Sequence, residues 1–103
     1  MLFIKILLIS LLLVFSNSVL ADPKMDLGLD VYNNKAQCGV CHTLQAAGSK
    51  GLIGPNLDQL KPQIPQIIYT VTNGIGVMPA FNDTLTTEEI EAVAHYIFNS
   101  TNK

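Results

Sequence analysis

Five consecutive residues, Cys38-Gly39-Val40-Cys41-His42, hold the densest chemistry in the chain. Two thiols separated by two residues and followed at once by an imidazole form C-x-x-C-H, the attachment pattern of a c-type haem. Each thiol can add to a haem vinyl group to form a thioether, and the histidine then lies where a ring nitrogen can bind the iron. The two-residue spacing lets one tight helical turn deliver both sulfurs to one porphyrin edge. The motif uses both cysteines of the protein. A redox dithiol usually comes with a strand–helix–strand pattern, which this chain lacks. A structural zinc wants four ligands, and only His95 remains outside the motif. A disulfide across two residues closes a small, strained loop.

Two further stretches could complete such a site. In Gly54-Pro55-Asn56-Leu57 the tetrapeptide alone reads as a turn. Beside a ligating histidine it gains a role, because an iron-bound imidazole normally donates its other N–H to a carbonyl. Pro55 offers that carbonyl on a stiff loop. Leu57, Leu60 and Ile64 are expected to pack on or beneath the haem. In Val77-Met78-Pro79-Ala80-Phe81, Met78 would elsewhere read as core filler. An iron with one histidine takes a sixth ligand or stays open, and a thioether is a soft ligand that raises the reduction potential. Met25 falls in a linker, Met1 in a leader and His95 on the last helix, which leaves Met78 as the candidate.

The elements that must hold these residues are short. Residues 1–21 read as a secretory signal peptide: Lys5, an apolar run from Ile6 to Phe15, the polar break Ser16-Asn17-Ser18, and Val19-Leu20-Ala21 ahead of a cut after Ala21. A retained leader would make the protein membrane-anchored, but the apolar core is short for a spanning helix. Cut or kept, it places the domain outside the cytoplasm, in the periplasm or an equivalent exported space. The remaining residues, 22–103, make one domain too small to build an ample apolar core without a staple, and a covalent haem would supply one. Beyond Ala21 stand five lysines, no arginine and eight carboxylates, a formal charge of −3. That balance excludes nucleic-acid binding and suits a partner with a basic docking patch.

The periodicity predicts an all-α fold. Asp22 to Asp26 is a linker, and a first helix begins near Asp26 with Leu27, Gly28, Val31 and Tyr32 on one face. Glycine weakens a helix; Gly28 marks either the helix start or a close approach by another element. Pro65 opens a helix that Asn73-Gly74 stops. Within it Tyr69 is expected to pack with a wet hydroxyl, or else to bond a haem propionate. Thr86 and Glu89 predict a capping box for the last helix, with Leu85 and Ile90 as a hydrophobic staple. Ile90, Val93, Ala94 and Ile97 make its apolar stripe, His95 falls at the surface, and the helix frays from Asn99. No strand pattern is apparent.

Taken together and in order, these pieces resemble the class I c-type cytochromes over nearly the whole of residues 22–103. The resemblance rests on Gly28 and Tyr32, Cys38-x-x-Cys41-His42, Gly54-Pro55-Asn56-Leu57, Asn73-Gly74 with Met78-Pro79-Ala80-Phe81, and Ala94-His95-Tyr96. It implies three to four helices wrapped round one covalent haem c. It also implies crossed N- and C-terminal helices, with Gly28 and Tyr32 meeting Val93 and Tyr96. Cys38 and Cys41 carry over as thioether sites, His42 as proximal ligand, Met78 as distal ligand and Pro55 as the carbonyl partner of His42. The implied function is one-electron transfer between a redox donor and a redox acceptor protein. The lysine-rich docking face of mitochondrial relatives does not carry over. The stretch from Cys41-His42-Thr43-Leu44 to Leu60-Lys61-Pro62 is also similar to small cytochrome subunits of bacterial sulfite-oxidising enzymes. The expectation is therefore an exported electron carrier, not an enzyme. The alternative is a cytochrome subunit held by a periplasmic dehydrogenase. A haem sensor or peroxidase would need an open iron, against which Met78 argues.

Overall fold

A computed structural model describes residues 22–103. The leader expected over residues 1–21, and its cut after Ala21, lie outside the described residues. The first helix, α1, runs Pro23–Asp30, three residues earlier than the sequence reading placed its start. Asp22 is the reason. Its side chain accepts from the backbone N–H groups of Lys24 and Met25, and Pro23 stands in the first turn, where a missing N–H costs nothing. The supposed linker is thus a cap and a first turn, and Met25 lies within the helix. A π-helical turn, Val31–Lys35, continues α1 and buries Val31 and Tyr32 completely.

After a tight turn at Cys38–Val40 come two short strands, β1 (Thr43–Leu44) and β2 (Ser49–Lys50), paired antiparallel with Thr43 opposite Lys50. The sequence reading found no strand pattern here. Two-residue strands are too short to show a period of two. Helix α2 is one turn, Leu57–Leu60, capped by Asn56. Helix α3 spans Ile64–Asn73 with Pro65 in its first turn, and Gly74 ends it at φ 73°.

The last helix, α4, runs Thr87–Thr101. Its capping box is complete: Glu89 N–H donates to Thr86 Oγ1 and Thr86 N–H donates to Glu89 Oε1. Leu85 and Ile90 are buried on either side of the cap, as a staple requires. The helix does not fray at Asn99. It holds to Thr101, whose hydroxyl donates to the Ile97 carbonyl.

The core lies where α1 meets α4, with Tyr32, Val93, Ala94, Tyr96 and Ile97 buried in one cluster with Leu44, Leu57, Ile67 and Val71. Gly28 is the contact point. A Cβ there would overlap the Ala92 carbonyl oxygen and stand 2.5 Å from Tyr96 Cβ. The glycine therefore marks a close approach, to Ala92 and Tyr96. Tyr32 and Tyr96 pack as a tilted pair with ring centroids 6.0 Å apart, a favourable aromatic arrangement.

Three smaller expectations change. Leu60 is half exposed while Leu57 is buried. Tyr69 stands 70% exposed and is not a packed aromatic. His95 is only partly exposed and lies 3.5 Å from Asp22 across the α1–α4 junction. Among the described residues the architecture is four α-helices, crossed terminal helices and a small hairpin.

Candidate functional site

Cys38, Cys41, His42, Pro55 and Met78 all line one cavity of about 530 Å³. That volume falls in the roughly 300–1,000 Å³ range of cofactor and ligand sites. Its walls come from the turn after α1, the loop before α2 and the loop after α3. None of the lining residues is charged, and Val40, Ile53, Ile75, Val77 and Phe81 supply apolar surface. The cavity thus matches a large, flat, apolar group with few polar anchor points.

The proximal wall is built on the main chain. Cys41 N–H and His42 N–H both donate to the Cys38 carbonyl, so the motif closes as a single turn and presents both sulfurs from one side. Gln37, at φ 51°, turns the chain sharply into it. The thiols are not joined. Burial pushes the Cys38 thiol up to about 11 from 9.0, whereas a redox dithiol needs a depressed value. Among the described residues no group of three or more His, Cys, Asp or Glu side chains converges as a metal site, which leaves a structural zinc without ligands.

His42 Nδ1 lies 2.7 Å from the Pro55 carbonyl oxygen. A carbonyl can only accept, so Nδ1 carries the proton and Nε2 keeps its lone pair. This is the tautomer that a metal-binding histidine needs. Gly54 makes room for the ring. A Cβ on it would stand 2.5 Å from His42 Cε1 and 3.0 Å from Nε2. Gly54 N–H donates to the Cys41 carbonyl at 2.7 Å, tying the Pro55 loop to the motif.

The distal wall is a turn hung from α3. Ile75 and Met78 exchange backbone hydrogen bonds of 3.1 and 2.9 Å, and Phe81 N–H returns to the Val71 carbonyl. Gly74 is required here twice over, by its positive φ and by a Cβ position 2.7 Å from the Met78 carbonyl oxygen. Met78 is partly buried and packs against the core cluster.

The sequence reading missed one residue. Ser49 Oγ, on β2, contacts Tyr32 Oη at 2.8 Å, Leu44 N–H at 3.1 Å and the His42 carbonyl at 3.0 Å. A serine in a glycine-rich loop carries no sequence signal for such a role.

Comparison with known proteins agrees with this geometry. The family described as cytochrome c oxidase, cbb3-type, subunit III matches residues 23–97. The chain is 34% identical to the chloroplastic cytochrome c6 of Chlamydomonas reinhardtii, over 86% of this chain and 63% of that one. It is also 34% identical to cytochrome c6 of Tetradesmus obliquus, over 72% of this chain and 90% of that one. Among solved structures, the c-type cytochrome SorU from Sinorhizobium meliloti matches 81% of this chain and 97% of its own, with a TM-score of 0.75 and 46% identity.

Proposed function

This chain belongs to the class I monohaem c-type cytochromes, and from that premise we propose how its residues carry the function. The protein is an electron carrier and not an enzyme, with one covalently bound haem c. Cys38 and Cys41 are the thioether sites, His42 is the proximal ligand and Met78 the distal one. The haem, when bound, supplies a one-electron ferric/ferrous couple. Everything else falls to the chain. Pro55 fixes the His42 ring and keeps Nε2 aimed at the metal position. Met78, which lines the same cavity from the loop after α3, would supply a second, thioether ligand to the iron and leave no open position there for a substrate. The apolar lining would place few polar groups against a bound haem, which limits rearrangement when its charge changes.

The observation that supports this reading best is the His42–Pro55 hydrogen bond inside a cavity that Met78 also lines. The partners are a donor and an acceptor redox protein. The net charge of −3 outside the leader supports a basic docking patch on at least one of them. The domain works on the exported side of a membrane, with the leader cut after Ala21. No helix among the described residues is long and apolar enough to cross a membrane. The relatives named as cytochrome c6 favour a carrier over a fixed subunit of a dehydrogenase.

Expression of the full chain with haem-maturation machinery tests the assignment. The purified protein should gain the mass of one haem that resists acid–acetone extraction, and its reduced form should show the sharp visible band of low-spin haem. Extractable haem or a high-spin spectrum would refute it.

A further inference from the structure

We propose that Tyr32 and Ser49 are positioning residues for His42, a chain of hydroxyls that ties the terminal helix pair to the main chain of the proximal ligand. This rests on the reading of His42 as that ligand. The donor roles follow from the partners. Leu44 N–H can only donate and the His42 carbonyl can only accept, at 3.1 and 3.0 Å from Ser49 Oγ. The Leu44 carbonyl also lies 3.5 Å from Ser49 Oγ, and the shorter His42 contact takes the single Ser49 proton. Tyr32, at 2.8 Å, must then donate to the remaining lone pair of Ser49. Every hydrogen-bonding position of Ser49 is filled by one orientation, Tyr32 → Ser49 → His42.

The packing around this chain is equally tight. A Cβ on Gly39, inside the C-x-x-C-H turn, would stand 2.6 Å from Ser49 Cβ, so β2 is seated directly against the motif. The His42 carbonyl also accepts from Gly51 N–H at 3.2 Å. His42 N–H is spent on Cys38. The main chain of His42 is thus held at both of its polar groups, and among the described residues Ser49 is its one side-chain restraint. At the other end Tyr32 is fully buried and paired with Tyr96 of α4. A shift at the helix crossing has a hydrogen-bonded route to the proximal residue. The Pro55 bond orients the ring of His42; this chain sets where its backbone stands.

The test compares the holoprotein with Tyr32→Phe, Ser49→Ala and, as a control remote from the site, Thr86→Ala. The primary readout is the set of hyperfine-shifted NMR resonances of the axial imidazole in the ferric form. The second is hydrogen-exchange protection of the Gly51 amide. Tyr32→Phe keeps the ring against Tyr96 and removes one donor. It should displace the imidazole resonances and lower Gly51 protection by about tenfold, the size expected of one hydrogen bond. Ser49→Ala should do more. Thr86→Ala should lower global stability and leave the imidazole resonances in place. Imidazole resonances that move no further in Tyr32→Phe than in Thr86→Ala would overturn the proposal, even if Ser49→Ala fails to accumulate. A wild-type protein without axial imidazole resonances would instead refute the ligand assignment beneath it.

Discussion

The two walls of the cavity are built on different plans. The proximal wall is held by several elements at once. The motif turn closes on Cys38, the Gly54 amide bonds Cys41, the hairpin reaches His42 through Ser49 and Gly51, and Pro55 takes the ring proton. The distal wall is one turn that bonds mainly to itself and to α3, with Ile75 and Val77 exposed at its tip. A loop with few long-range bonds opens locally at lower free energy than a cross-tied one. The contrast makes the histidine side the more firmly held of two closed sides and the methionine side the easier to open by mutation.

Replacing the two proposed ligands should expose that asymmetry most strongly. His42→Ala removes the group around which the proximal wall is organised, and holoprotein is expected to fall to traces in a haemochrome assay. Met78→Ala should still yield covalent holoprotein. Its potential should drop by about 0.2 V, inside the roughly 0.8 V range that axial ligation covers. Equal loss of holoprotein in both variants would erase the distinction.

A smaller effect comes from filling the two glycine gaps. In Gly54→Ala the new methyl meets the His42 ring, which the proximal bonds prevent from moving. In Gly74→Ala it meets the Met78 main chain and also strains a φ of 73°. Each should cost about 1–3 kcal/mol, the range for overpacking. Spectra should separate them: Gly54→Ala disturbs the histidine signals, whereas Gly74→Ala lets carbon monoxide compete for the methionine position. Denaturant titration with both spectra recorded checks the pair.

Protonation gives a gentler probe of the proximal wall. Burial pushes the Tyr32 phenol up to about 12 from 10.0. A raised acid of this kind stabilises the fold fully below its unfolded value, and that contribution is lost as pH climbs from 10.0 toward about 12. Unfolding curves across this window should therefore show an alkaline loss that Tyr32→Phe flattens. A loss of the same steepness in the variant would assign it to other groups.

The smallest effect should come from a site that touches neither wall. Glu89 completes the capping box and also pairs with Lys35 at 2.5 Å. The Lys35 hydrogen bond, aided by the Thr86 backbone, holds its carboxyl below the usual glutamate range. The resulting stability is present above the ordinary glutamate value and is lost as pH falls through the lowered one. The Lys35 side chain is about half exposed, so Lys35→Ala should shift Tm only slightly, and less again in high salt. A large, salt-insensitive shift would mean that this corner is coupled to the core.

Much of the site was readable from residue order because its chemistry is local. Cys38, Cys41 and His42 adjoin in sequence, and the Pro55 carbonyl could be named because a ligating imidazole needs an acceptor. The capping box was legible for the same reason, since both partners lie within one turn. What escaped depended on distant residues. The start of α1 turned on Asp22 acting as a cap, which no periodicity reveals. The hairpin was too short to leave a pattern, so Ser49 looked like loop filler. Gly28 could be suspected of close packing, but its neighbour Ala92 emerged only once the crossing was seen.

The claim that both axial sides are closed is the one on which carrier function depends. Mixing the reduced holoprotein with carbon monoxide tests it directly. The account predicts a low-spin reduced spectrum that stays unchanged on mixing, because it assigns Met78 to the distal side. Rapid, complete formation of the carbon monoxide adduct would show an open iron and contradict it.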